Sequence, residues 1–206
     1  MVSWFKGDVG RARAAVVAYF VLAGLSFSAW AVRIPDVKSA LGLDDATLGL
    51  ALLGTAAGSV VAMTSSGWTI ARFGSHRVTT TAAVLVCATM VLPALAPSAA
   101  LLFAALFIFG GAYGALDVAM NAQAAAVEER WGKPIMSSFH GAFSTGALVG
   151  SFIAAVIAGR GVAPVPHLLG TGLVLALLAI IAARYLVVAP AEHTDDGPTF
   201  ALPVGP

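Results

Sequence analysis

Five stretches of this chain contain no Lys, Arg, Asp or Glu: residues 14–32, 46–71, 78–116, 134–159 and 161–183. A helix needs about 20 residues to cross the hydrocarbon core of a bilayer, so each stretch is long enough to span one. The third is long enough for two. Pro93, Pro97 and Ser98 supply a break in its middle, and its second helix continues past Asp117 toward Glu128. Six transmembrane helices follow, at about 14–32, 46–66, 78–96, 99–121, 138–159 and 166–188.

Composition excludes the other broad classes. The chain is 59% hydrophobic and 10% charged over 206 residues, with a mean hydropathy of +0.92. Soluble domains run about 45–50% apolar and about 25% charged. The single Cys87 rules out an intramolecular disulfide, and four scattered His argue against a zinc site. A net charge of +1 gives no support to nucleic-acid binding, and no cofactor is implied.

Residues 1–13 read as a short basic cytoplasmic lead with Lys6, Arg11 and Arg13. The apolar run behind them exceeds the core of a signal peptide and lacks a small-x-small cleavage site before Arg33. It is therefore read as the first helix, with Trp30 as an interfacial anchor at its far end. With the amino terminus inside, eight of the eleven Lys and Arg fall on the cytoplasmic side, leaving Arg33, Lys38 and Arg160 outside. Both termini then lie on the cytoplasmic side, the expected membrane being a cytoplasmic one of bacterial type, and residues 189–206, polar and Pro-rich, read as a cytoplasmic linker or tail.

Polar residues inside the apolar spans point to function. An ionised carboxylate there costs roughly 2.5–3.5 kcal/mol on insertion scales. Tyr113, Asp117 and Asn121 recur at four-residue steps on the fourth helix and share one face, with Gly110 and Gly114 forming a notch beside them. On the fifth helix Ser137, His140 and Ser144 fall on one face. A charged hairpin at 128–133 joins the two helices, which are expected to pack as antiparallel neighbours with their polar stripes meeting.

A carboxylate in that setting is disfavoured in its charged form by desolvation and favoured by a nearby cation, the chemistry a proton-coupled carrier needs. Structural alternatives stand beside this reading. Asp117 could be an acid bonded to fifth-helix polar groups or to an Arg, and His140 an interfacial histidine; Arg33 is either an ordinary snorkelling side chain or one that reaches an anionic substrate or Asp36. Small residues four apart recur as Gly54 and Gly58 in the second helix and Gly146 and Gly150 in the fifth, equivalent places if the six helices form a 3+3 repeat.

Between the second and third helices lies Gly67-Trp-Thr-Ile-Ala-Arg72-Phe-Gly74-Ser-His-Arg77. Spacing alone allows either a tight basic turn or a gating element. The stretch resembles the loop motif of the major facilitator superfamily: Gly67, Arg72, Gly74 and Arg77 match. Ala71 stands where that family carries Asp, leaving open the Asp-dependent part of the latch that closes the family's cytoplasmic side. The segment Leu116-Asp117-Val-Ala-Met-Asn121 looks like the fucose:proton symporter branch, as does Trp30-Ala-Val32. The runs Met120-Asn-Ala-Gln-Ala124 and Pro134-Ile-Met-Ser-Ser-Phe-His140 look like a group of bacterial carriers of the same superfamily.

The resemblance implies an all-α membrane protein, a six-helix 3+3 bundle forming half of a twelve-helix fold. Asp117 would be the protonatable residue, and Asn121, His140, Tyr113 and Arg33 would accompany it along the proton and substrate pathway. The first helix has no acid at 14–32, so coupling by two acids does not transfer. The partners implied are the bilayer, a small polar solute such as a sugar-like compound, protons, and a second six-helix half or second copy. A non-transporting scaffold is the alternative. An intramembrane enzyme is disfavoured because a Ser–His pair on one helix gives poor nucleophile geometry.

Overall fold

In a computed structural model, residues 3–188 are described, and among them every element is helical. The order is α1 (Ser3–Ala31), α2 (Ile34–Leu41), α3 (Asp45–Phe73), α4 (Ser75–Thr89), α5 (Leu92–Leu95), α6 (Ala99–Trp131), α7 (Met136–Gly159) and α8 (Pro164–Ala183). Six of these segments are long and apolar enough to cross a membrane, α4 and α5 serving together as one. The expected linker at 189–206 lies outside the described residues.

Several boundaries differ from the sequence reading, each for a local reason. The basic lead is not a separate segment. Its residues from Ser3 onward form the opening turns of α1, where Arg11 bonds Asp8 one turn earlier at 2.9 Å and the Arg13 guanidinium lies 4.8 Å from the Trp131 ring centroid. The first loop is largely the short helix α2, opened by Pro35 and closed by Gly42 in the left-handed region (φ 62°).

The hairpin at 128–133 is likewise mostly helix, because α6 runs on to Trp131 and stops at Gly132, whose φ is 72°. Glu128 is half-buried rather than a free surface charge: its Oε2 accepts the backbone N–H groups of Ile135, at 2.6 Å, and Met136. It thereby supplies the cap that the amino terminus of α7 lacks locally. At the other end of the chain, α8 stops at Ala183 rather than 188, since residues 185–188 turn back against α6.

Two tight helix pairs organise the bundle. α3 packs along α6, and α7 packs along α1; α4 then lies on α6 as α8 lies on α1. The second helix of each three-helix half therefore embraces the first helix of the other, the pairing of a 3+3 repeat. Because lipid gives little hydrophobic drive for association, close backbone approach matters here. At Gly58 of α3, a Cβ would overlap the Phe107 carbonyl, and at Gly146 of α7 it would overlap the Val21 carbonyl of α1. Ser59 Oγ donates to the Gly110 carbonyl at 2.8 Å across the first of these seams.

α1 is the most enclosed span, with Val16, Tyr19, Phe20 and Ala23 buried and the Tyr19 hydroxyl donating 2.7 Å to the Ala179 carbonyl of α8. The Trp30 ring joins this core, 3% exposed, and does not sit as an interfacial anchor. α3 and α7 are the least enclosed, leaving Leu148 and Phe152 of α7 among the most exposed apolar side chains.

Candidate functional site

The polar stripe of α6 is built by helical spacing and then fixed by α1 and by contacts within α6 itself. Tyr113, Asp117 and Asn121 stand one above another, all half-buried. The Tyr113 hydroxyl donates to the Ala23 carbonyl of α1 at 2.9 Å. Its ring lies between Phe27 and Phe109, with centroids 5.8 and 5.9 Å away. Asn121 Nδ2 donates to the Asp117 carbonyl at 2.9 Å and to its Oδ1 at 3.3 Å. Among the described residues, Asp117 forms no salt bridge. It lies within electrostatic reach of Tyr113 and His140.

α6 and α7 do not pack as antiparallel neighbours, and their polar stripes approach only to the electrostatic reach between Asp117 and His140. α6 and α7 hardly touch; α1 packs against both. The close seam made by Gly24, Gly146 and Gly150 draws α7 onto α1 instead. His140 is exposed and meets the Phe20 ring of α1 edge-on at 5.4 Å. Ser144 turns its hydroxyl back to the His140 carbonyl at 3.2 Å, and Ser137 is exposed.

Arg33 belongs to a different place. It lies ten residues beyond Ala23, about 15 Å along a helix at 1.5 Å per residue. Rather than snorkelling, it is buried, 2% exposed. Nε donates to His167 Nδ1 at 3.0 Å and Nη1 to Asp36 Oδ2 at 2.9 Å, while Nη2 has no partner among the described residues. The pair joins the start of α2 to α8.

The 67–77 motif is also rearranged. Gly67 and Arg72 lie inside α3, and the turn itself is the single residue Gly74 (φ 80°) between α3 and α4. The Arg72 guanidinium lies 6.0 Å from the Trp68 ring centroid and 5.8 Å from that of Phe73, and Arg77 is exposed. Directly after the turn, the buried Ser75 hydroxyl is bonded by Gln123 Nε2 at 2.7 Å. The same amide group donates to the Val187 carbonyl and accepts from the Val187 N–H, both at 2.9 Å.

The roles of Gln123, Glu128 and His167 escaped the sequence reading, which placed Glu128 only in the charged hairpin. For Gln123 a signal existed, since Ala119, Met120, Ala124 and Val127 make that face of α6 a buried apolar one. An amide on such a face requires a partner.

The sequence profile described as Major Facilitator Superfamily matches residues 15–205. An uncharacterized MFS-type transporter of Yersinia pestis is 38% identical over 186 residues, covering 90% of this chain and 48% of its own length. Membrane protein MosC of Rhizobium meliloti is 39% identical over 172 residues, covering 84% of this chain and 41% of its own. An uncharacterized transporter of Sinorhizobium fredii is 36% identical over 136 residues, 66% of this chain and 36% of its own. The chain thus spans about half or less of the curated relatives it matches. With six spans paired as two interlocked three-helix halves and a match over nearly the whole length, this multi-pass membrane chain belongs to the major facilitator superfamily.

Proposed function

We propose that the chain is one half of a proton-coupled secondary transporter for a small polar solute, in the manner of the fucose:proton symporter branch. The observation that carries this reading is Asp117: a carboxylate midway along an apolar spanning helix, half-buried, held by Asn121 and without a salt bridge among the described residues. Intramembrane acids that face a cavity or bundle interior are the usual carriers of protons. Tyr113 anchors the stripe to α1, so a tilt of α1 against α6 would be felt beside the carboxylate. His140 is a second titratable group within reach, and Arg33, buried against His167 and Asp36, would serve as a fixed cation away from the Asp117 stripe.

Transport in this reading needs a second six-helix half, supplied by further chain or by a second copy, with the solute held between halves. The bacterial cytoplasmic membrane, with both termini inside, fits the excess of Lys and Arg at one end of the bundle. Arg72, Gly74 and Arg77 would act in switching, so Arg72→Ala or Arg77→Ala should slow exchange more than it weakens solute affinity. The first experiment is oligomeric mass in detergent combined with proton-linked uptake of candidate polar solutes in proteoliposomes. A dimer that accumulates solute supports a paired half-carrier. A monomer that moves nothing assigns transport to a longer protein.

A further inference from the structure

The end of the bundle where α1 begins and α6 and α8 finish carries a feature that the transport reading does not use. Arg11 of α1, Arg130 of α6 and Arg184 after α8 line one pocket of about 620 Å³, together with Asp8 and Tyr185. Arg11 and Tyr185 also line a neighbouring groove of about 500 Å³ between α1 and α8, whose remaining walls are almost wholly apolar. Leu178 and Ile181 on its α8 wall are exposed, 51% and 43%.

Each arginine has an ordinary explanation in isolation. Arg130 and Arg184 sit at helix carboxyl ends, where a cation complements the helix dipole, and Arg11 pairs with Asp8. Their convergence from three helices onto one pocket is not explained that way. Among the described residues, three guanidinium groups and one carboxylate give the pocket a net positive charge, and it continues into an apolar groove along α1 and α8, with Arg11 and Tyr185 lining both.

We propose that this is a binding site for an anionic membrane phospholipid, with the phosphate among Arg11, Arg130 and Arg184 and an acyl chain along the α1/α8 groove. Guanidinium groups bind phosphate through paired N–H donors. Basic pockets between transmembrane helices are suited to anionic headgroups. The continuity of charge and apolar wall selects a lipid over a soluble phosphate, which would leave the groove unfilled. The site spans the seam between the first and last spanning helices, so an occupant would brace α8 against α1.

The test uses the 206-residue chain in nanodiscs of equal dioleoyl phosphatidylglycerol and dioleoyl phosphatidylethanolamine, released into mild detergent for native mass spectrometry. Phosphatidylglycerol should be retained in preference to phosphatidylethanolamine, and 10 mM inorganic phosphate should not displace it. Arg130→Ala and Arg184→Ala, both at exposed positions, should each lower its retention about fivefold. Ala18→Phe, which fills the groove and leaves the arginines in place, should lower retention too.

Three results would overturn the proposal. One is equal retention of the two lipids. Another is an equal loss from Arg72→Ala and Arg77→Ala, which would indicate general surface charge at that end. The third is retention that appears only after Glu192, Asp195 and Asp196 are neutralised, which would make the acidic tail the occupant.

Discussion

Asn121 reaches back one turn of α6 and donates its amide to Asp117, to the main-chain carbonyl at 2.9 Å and to Oδ1 at 3.3 Å. A side chain bonded to its own helix in this way needs no neighbouring helix to hold it. The carboxylate keeps its orientation while its second oxygen stays available to a proton or solute. The arrangement stands on the face of α6 that α1 and α3 leave half-covered, so what it meets depends on what lies against that face.

Asp117→Asn is expected to abolish accumulation of solute driven by a pH gradient while leaving insertion and helical content unchanged. Asn is the neutral near-isostere and holds the site permanently uncharged, so solute counterflow with no proton gradient should persist. Measuring both modes in proteoliposomes separates the roles. Loss of counterflow as well would place Asp117 in solute binding, and unchanged accumulation would remove it from coupling.

Gln123→Leu should destabilise the bundle without touching the Asp117 stripe. The amide holds Ser75 at the start of α4 and both backbone groups of Val187. Leucine would leave those groups buried without partners, at about 1–3 kcal/mol for each group not reached by water. With roughly 2–4 °C per kcal/mol for a chain of this size, Tm in detergent should fall by about 5 °C or more. Limited proteolysis after residue 187 should accelerate in parallel. An unchanged Tm would mean that the Val187 segment is held by other contacts.

The sequence made the spanning segments legible because a run without charge has few destinations other than a bilayer. The one-turn spacing of Tyr113, Asp117 and Asn121 was legible for the same reason that any helical face is: 3.6 residues per turn fixes it. Which helix lies beside which was not. α6 and α7 are consecutive, yet α1 separates them, since the choice rests on backbone surfaces that fit only where Gly24, Gly146 and Gly150 coincide. Arg33 illustrates the same limit. Its place at a helix end suggested a side chain reaching water, but its partner His167 lies 134 residues further along the chain.

The close seams give a paired test. Gly58→Leu would drive a side chain into the Phe107 carbonyl and the Gly111 backbone of α6, atoms that cannot swing aside. Overpacking ordinarily costs about 1–3 kcal/mol, and a backbone obstacle puts this substitution at or above the upper figure. Gly141→Ala, where nothing lies within 4 Å of the added carbon, should be neutral or gain up to about 1 kcal/mol from helix propensity. Thermal unfolding of both variants in the same detergent checks the contrast. A tolerated Gly58→Leu would mean that α3 and α6 are further apart than described.

The Arg33–His167 bond predicts coupling between two residues far apart in sequence. Arg33→Ala removes a buried guanidinium from Asp36, which is 45% exposed and can recover water, and from His167, which is buried. The loss should be about 1–3 kcal/mol, below that of a fully buried pair. Arg33→Lys keeps the charge but not the fork that serves two partners at once, so it should recover only part of the stability. His167→Ala leaves Arg33 Nε without its acceptor at a similar cost. Because both substitutions break the same bond, the double variant should lose less than the two separate losses combined, by at least about 0.5 kcal/mol. Simple additivity in a double-mutant cycle of thermal unfolding would show that the bond contributes nothing to holding α8 against the start of α2.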